Sequence, residues 1–219
     1  MISITTIKDS DVVKTGTTTV GIMCKDGIVL AADKRATAGN LIANKKTQKV
    51  IKITDNMAVT MAGLVSDAQL LAKLIKAELK LKDLQTNRVS NMTEAANLLA
   101  GMLYMNIRRM TMVPGIVGFL LGGKDEEGFH LYDLGIDGSV SKSDEFVSDG
   151  SGSVFAFGVL ETLYKKGISL DEGIKLAVKA VNAAMQRDNA TGNGIDVVTI
   201  TDKGVQYVLE KELIVKLEI

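Results

Sequence analysis

TTTVGIMC at residues 17–24, the turn Lys25, Asp26, Gly27 and then IVLAAD at 28–33 read as a β-hairpin. VIKI from Val50 and MAVTMAG from Met57 to Gly63, separated by Thr54, Asp55 and Asn56, continue the pattern. The stretch from Thr17 to Gly63 is therefore expected to form hairpins of one sheet. After Gly63 the period changes. Ala68, Leu71, Ile75 and Leu79 recur at helical spacing through Lys82, and Ala95, Leu98, Leu99, Met102 and Leu103 do so before Pro114. A second β block runs from Ile116 to Val147, with IVGFLLGG and FHLYDL joined across Lys124 to Gly128. A second helical block is marked first by Val154, Phe157, Val159 and Leu160, then by Ile174, Ala177, Val178, Val181 and Met185. DVVTIT from Asp196 is the closing strand.

Strands do not alternate with single helices in this order, which disfavours a doubly wound parallel fold. Ile28 to Ala32 and Val117 to Leu121 are apolar on both faces and need cover on both sides. Two sheets packed on each other and flanked by helix pairs supply that cover, so the expected class is α+β, a four-layer αββα sandwich. The 219 residues, 46% of them hydrophobic, suffice for one large domain, and no internal repeat or linker interrupts them.

Lys plus Arg and Asp plus Glu both number 26, so no net charge draws the chain to nucleic acid or an anionic membrane. No run of roughly 18 apolar residues is available to span a bilayer. A lone cysteine, Cys24, can close no disulfide within the chain, which fits a reducing compartment and points to the cytoplasm. The first sixteen residues, MISITTIKDSDVVKTG, lack the apolar stretch of a signal peptide.

The common catalytic sets are missing. One histidine, His130, sits in a strand beside a charged turn and is expected to be exposed or half-buried; neither a Gly-x-Ser-x-Gly elbow nor a zinc hydrolase motif accompanies it. GSGS at 150–153 precedes a helix, but no Walker lysine follows, so a phosphate cradle is not indicated. Cys24, in an apolar strand, reads as a small core residue. What remains is GTTTVG at 16–21. Alone, a threonine triplet is ordinary strand material.

The surrounding motifs change that reading. TTTVGI, GIVLAADKRAT, Lys49 within TQKVIKI, AGLVSDAQ, DGSGS and QRDNATG resemble, in order and spacing, the β subunits of proteasomes of the archaeal type. The resemblance covers nearly the whole chain after Gly16. It implies the N-terminal nucleophile hydrolase fold and an ATP-independent threonine endopeptidase that cleaves unfolded proteins. It also implies two parts, a propeptide at 1–16 removed by autocatalytic cleavage of a zymogen and a peptidase domain at 17–219. The chemistry is self-consistent: a threonine hydroxyl needs a base nearby, and its own α-amino group, with a reference pKa of about 7.7 to 8.0, serves once that threonine is N-terminal. Cleavage between Gly16 and Thr17 must then come first, and Gly16, lacking a side chain, lets the hydroxyl approach the preceding carbonyl.

By the same resemblance, Lys49 lowers the pKa of that amine, and Asp33 pairs with Lys49 to orient it. Gly63 presents a backbone N–H to the oxyanion. Ser151 and Asp188 bond around the amine and hydroxyl, with Thr191 where the family usually has serine. Ala36, Thr47, Ile51, Met61 and Val65 wall an uncharged pocket favouring cleavage after large apolar residues, and Thr37 holds substrate main chain as an added strand. Plainer roles stay open for each: a charged turn for Asp33, strand termination for Gly63, a cap for Ser151, a helix-end charge for Asp188, core for Ile51 and Met61. Implied partners are other β subunits in a seven-membered ring, proteasome α subunits and an unfolding ATPase acting through the α ring. Neither metal nor organic cofactor is implied. An unprocessed structural subunit of the same particle, or another N-terminal nucleophile amidohydrolase, are the competing readings.

Overall fold

A computed structural model describes residues 16–212 of the chain. Residues 1–15 of the expected propeptide, and 213–219 of the expected peptidase domain, lie outside the described residues. One five-stranded sheet contains β1 (Thr19–Cys24), β2 (Gly27–Asp33), β10 (Phe146–Asp149), β11 (Gly194–Thr201) and β12 (Gly204–Glu212), in the order β10-β1-β2-β11-β12. The other contains β5 (Val50–Lys52), β6 (Met57–Gly63), β7 (Val117–Asp125), β8 (Gly128–Leu134) and β9 (Val140–Ser143), in sequence order. A small hairpin, β3 (Ala36–Ala38) with β4 (Leu41–Asn44), stands apart. Every ladder is antiparallel.

Side-chain alternation explains why the two sheets stack. On β2, Ile28, Leu30 and Ala32 face an inter-sheet core with Val50, Ala58, Leu120, Leu131 and Val198, while Val29 and Ala31 face the helices. On β7, Leu120 points between the sheets, and Val117, Phe119 and Leu121 point outward. Gly122 also faces inward, where a Cβ would sit 3.1 Å from Ile200 and 3.3 Å from both Ile28 and Leu30. The outer faces are closed by helix pairs. α1 (Val65–Thr86) and α2 (Met92–Ile107) cover the second sheet through Ala68, Leu71, Ile75, Leu79, Ala95, Leu99 and Leu103. α3 (Ser153–Leu163) and α4 (Leu170–Met185) cover the first through Ala156, Leu160, Leu176, Ala177 and Val181. Asn91 with Glu94, and Ser169 with Glu172, form capping boxes that fix where α2 and α4 begin. The expected αββα sandwich is the observed one.

Four details differ from the sequence reading. The strands between Thr17 and Gly63 do not share one sheet: β1 and β2 belong to the first, β5 and β6 to the second. The residues between β2 and β5 carry the chain across, because Val50 and Ala58 are needed opposite Leu30 in the inter-sheet core. DVVTIT is not the last strand, since β12 pairs back on it through a turn at Asp202–Lys203. Val154 does not mark the buried face of α3 but is 74% exposed, the buried positions being Ala156 and Leu160. His130 is buried, 5% exposed, with Nε2 3.0 Å from Asp125 Oδ1; β8 is an interior strand between β7 and β9, and Asp125 offers the ring a partner.

Candidate active site

The residues at the start of β1, the end of β2 and the approach to β5 converge where the two sheets meet. Thr17 is buried, 4% exposed, and its hydroxyl donates to the Gly16 carbonyl oxygen at 2.6 Å. Lys49 Nζ donates to Thr17 Oγ1 at 3.0 Å and to Asp33 Oδ1 at 2.8 Å. Lys49 is among the largest fully buried side chains, and burial pushes its ammonium below the ordinary lysine range, with Asp33 pulling the other way. Asp33 is completely buried at the end of β2 and accepts four hydrogen bonds: Oδ1 from the Thr18 amide as well as Lys49, Oδ2 from the amides of Arg35 and Gly192. This is no ordinary charged turn.

On the other side of Thr17, its backbone N–H donates to Ser151 Oγ at 3.3 Å, and Ser151 donates to Asp188 Oδ2 at 2.6 Å. The same carboxylate oxygen accepts from Thr191 Oγ1 at 2.6 Å, and Thr191 Oγ1 lies 2.7 Å from Thr18 Oγ1. The threonine at 191 thus keeps its hydroxyl within the network. Gly150 and Gly152 let the 150–153 turn close over this backbone, for a Cβ would lie 2.2 Å from the Thr17 carbonyl oxygen or 2.0 Å from Thr18 Oγ1 respectively. Gly150 also has φ +96, a conformation that favours glycine. The GSGS stretch wraps the threonines, which accounts for its glycines without a phosphate.

Thr37, on β3, accepts the Gly16 N–H at 3.1 Å, so it holds a main-chain amide one residue before Thr17. Gly16 sits in a gap with no room for a side chain: a Cβ would lie 1.7 Å from that of Ala190. Gly63 ends β6 with φ +108, and a Cβ there would lie 2.1 Å from the Ile116 carbonyl oxygen. Of the expected pocket walls, Thr47, Ile51 and Val65 line one groove. Ala36 and Met61 do not line it; Ala36 opens β3, and Met61 packs in the core beneath α1 and α2. The groove also carries lysines, which the uncharged pocket did not include.

Sequence reading missed three contributors. Thr18 joins the first strand to Asp33 and Thr191. Arg35 ties β2 to the 189–193 loop, through Nε to Asn193 Oδ1 and Nη1 to the Asn189 carbonyl, both at 2.7 Å. Gly192 gives its amide to Asp33 and leaves room for that guanidinium, whose Nη2 a Cβ would meet at 2.4 Å. The DKR and QRDNATG motifs carried this signal jointly, but pairing them requires the fold. Cys24 is buried and plays no part; burial, with Asp26 and Glu172 nearby, pushes its thiol up to about 12. Among the described residues no group of His, Cys, Asp and Glu side chains could hold a metal ion.

Comparison with known proteins decides the family. The family model described as proteasome subunit matches residues 13–200. The chain belongs to the proteasome subunit family. It is 45% identical over 193 residues to a proteasome subunit beta of Ferroglobus placidus, covering 88% of this chain and 90% of that one. It is 44% identical over 207 residues to one of Archaeoglobus profundus, covering 94% of each. It is 42% identical over 208 residues to one of Methanopyrus kandleri, covering 94% of this chain and 98% of that one. Proteasome membership agrees with the two antiparallel sheets and four helices, the sandwich of N-terminal nucleophile hydrolases. No described helix of this proteasome-family chain is long and apolar enough to cross a membrane.

Proposed function

We propose that the chain is a catalytic β subunit of a proteasome core, a threonine endopeptidase whose nucleophile is Thr17. The observation that carries the reading is the pair of contacts at Lys49 Nζ, 3.0 Å from the Thr17 hydroxyl and 2.8 Å from Asp33 in a buried site. A lysine there has no packing purpose that an apolar residue would not serve at lower desolvation cost. Held as a cation by Asp33, it sets a positive charge against the hydroxyl and the nitrogen beside it.

Two stages follow. In the uncut chain the Thr17 hydroxyl, already against the Gly16 carbonyl, attacks that carbonyl carbon; the C–N bond breaks, the nitrogen gains the proton, and the resulting ester is hydrolysed by water. In the cut chain the freed amine, held beside Ser151, takes the hydroxyl proton as Thr17 attacks a substrate carbonyl. Lys49 keeps that amine neutral through like-charge repulsion. Gly63 N–H stabilises the oxyanion, the scissile C–N bond breaks as the Thr17 amine passes the proton to the leaving nitrogen, and water hydrolyses the resulting ester. Thr37 holds substrate main chain as it holds the Gly16 amide. Residues 1–16 are the propeptide, and the apolar Ile51 and Val65 of the groove favour large apolar residues before the cleaved bond.

The relatives' names support assembly with other proteasome subunits; in the proposed assembly these are other β copies in a seven-membered ring and an α subunit, joined by an unfolding ATPase that feeds unfolded polypeptide, in the cytoplasm. The test expresses the chain with a cognate α subunit and compares it with Thr17→Ala by mass and fluorogenic peptide hydrolysis. Loss of both leader removal and hydrolysis is expected in the variant. An intact leader in assembled wild-type particles would instead make this an unprocessed structural subunit.

A further inference from the structure

A groove of about 520 Å³ opens between residues 44–52 and the stripe of α1 that carries Val65, Gln69, Ala72 and Lys76. Those four positions, at i, i+4, i+7 and i+11, share one helix face. Thr47, Ile51 and Val65 form its inner part. Thr47 and Ile51 stand two residues to either side of Lys49, and Val65 stands two beyond Gly63, so this end of the groove lies within two residues of the candidate site. From Val65 to Lys76 the helix rises about 16 Å.

The groove's charge is one-sided. Lys46, Lys52, Lys73 and Lys76 line it, and no Asp or Glu does. Lys46 is paired with Glu212 at 2.8 Å and Lys52 with Asp55 at 2.7 Å. Lys73 and Lys76, both exposed on α1, form no ion pair among the described residues. The chain as a whole has zero formal net charge, so this is a local concentration of cations rather than general basicity.

We propose that this groove selects substrate chains bearing aspartate or glutamate close to the scissile bond, with Lys73 and Lys76 supplying the attraction. The inference rests on the peptidase reading of Thr17 and adds a charge preference beside the apolar one. An extended chain advances about 3.3 Å per residue, so the groove accommodates an acidic side chain within about five residues of the cleaved bond. The occupant is polypeptide rather than a free anion because the groove's lining reaches within two residues of Lys49 and Gly63, where the proposed reaction places a substrate backbone.

The test uses two fluorogenic peptides with leucine before the cleaved bond, one flanked by alanines and one with glutamates in their place. Both are assayed on the chain assembled with its α subunit and on Lys73→Glu/Lys76→Glu. At low ionic strength KM for the acidic peptide is expected to be about three- to tenfold below that of the neutral one, as exposed ion pairs allow. That difference should vanish near about 0.5 M salt. It should reverse in the double variant, with kcat for the neutral peptide unchanged. Fluorescence anisotropy of the same peptides on a Thr17→Ala chain expressed from residue 17, so that no leader fills the cleft, reads the preference without turnover. Absent hydrolysis would thereby count against the peptidase reading while binding still tests the groove. Equal affinity for both peptides, or a preference that survives charge reversal, overturns the proposal.

Discussion

Lys49→Met and Asp33→Ala remove opposite halves of one buried ion pair, yet their effects on stability should differ about threefold. Asp33 accepts four hydrogen bonds, and the three from the Thr18, Arg35 and Gly192 amides survive the loss of Lys49. Methionine fills most of the lysine's volume and the three amides go on compensating the Asp33 carboxylate, so Lys49→Met forfeits chiefly the charge-assisted bond to Asp33, with a weaker one to the Thr17 hydroxyl, about 2 kcal/mol in all. Asp33→Ala instead leaves three amides without their acceptor, about 1 kcal/mol each at the least. It also leaves an ammonium that is 2% exposed without a counter-ion, about 3 kcal/mol more. The total is about 6 kcal/mol. At roughly 3 °C per kcal/mol for a chain of this size, calorimetry should show Tm falling by about 6 °C in the first variant and about 18 °C in the second. The pH dependence separates them further. Burial lowers the pKa of Lys49, so below its folded value the site carries the full cost of a buried cation. That cost is relieved as pH rises toward the unfolded pKa near about 10.4, because the unfolded chain then holds the extra proton. Without Asp33 to oppose deprotonation, Asp33→Ala should regain stability as pH is raised from 7, and Lys49→Met, with no amine there, should not. Both should lose peptide hydrolysis, Lys49→Met by about a thousandfold. Equal falls in Tm, or hydrolysis by Lys49→Met within tenfold of wild type, would refute the reasoning.

Gly16→Ala places a Cβ where Ala190 already stands, so the Gly16 carbonyl must move off the Thr17 hydroxyl; leader removal, followed by mass spectrometry after synthesis, should slow at least about a hundredfold through lost positioning. Cys24, with its thiol pushed up to about 12 and its side chain buried, should resist iodoacetamide at pH 8 in the native protein and react promptly in denaturant. Rapid native labelling would contradict the packing of β1 beneath α4.

The layer order was legible because periodicity switches sharply at Gly63 and again after Asp149, and because Ile28 to Ala32 carries apolar residues on both faces. Which strands share a sheet was not legible. VIKI and MAVTMAG look like a continuation of the first hairpin, and only the need for Val50 and Ala58 opposite Leu30 moves them to the other sheet. His130 was misjudged for a similar reason: its burial depends on the neighbours of β8, not on the turn beside it in sequence. At the site, Thr17, Asp33, Lys49, Ser151, Asp188 and Thr191 were named from motifs, and the structure brings all six into one hydrogen-bonded network. Arg35 escaped notice because an arginine after an aspartate in a turn looks solvated until its partners, distant in sequence, are in place.

That network has a structural dependence that local sequence conceals. Thr17 and Asp33 are carried by the first sheet, whereas Lys49 immediately precedes β5 and Gly63 ends β6 in the second. The 3.0 Å separation of Lys49 Nζ from Thr17 Oγ1 is therefore set by how closely the two sheets pack. Leu30, Val50, Leu120 and Val198, all fully buried between them, fix that spacing, and Gly122 permits it by presenting no side chain. In the proposed reaction, groups carried on different layers tolerate little drift, since a displacement of about 1 Å can cost a hundredfold in rate. The inter-sheet core thus sets the geometry of the candidate site in a way that the helix-covered outer cores do not, although each is built from the same aliphatic residues.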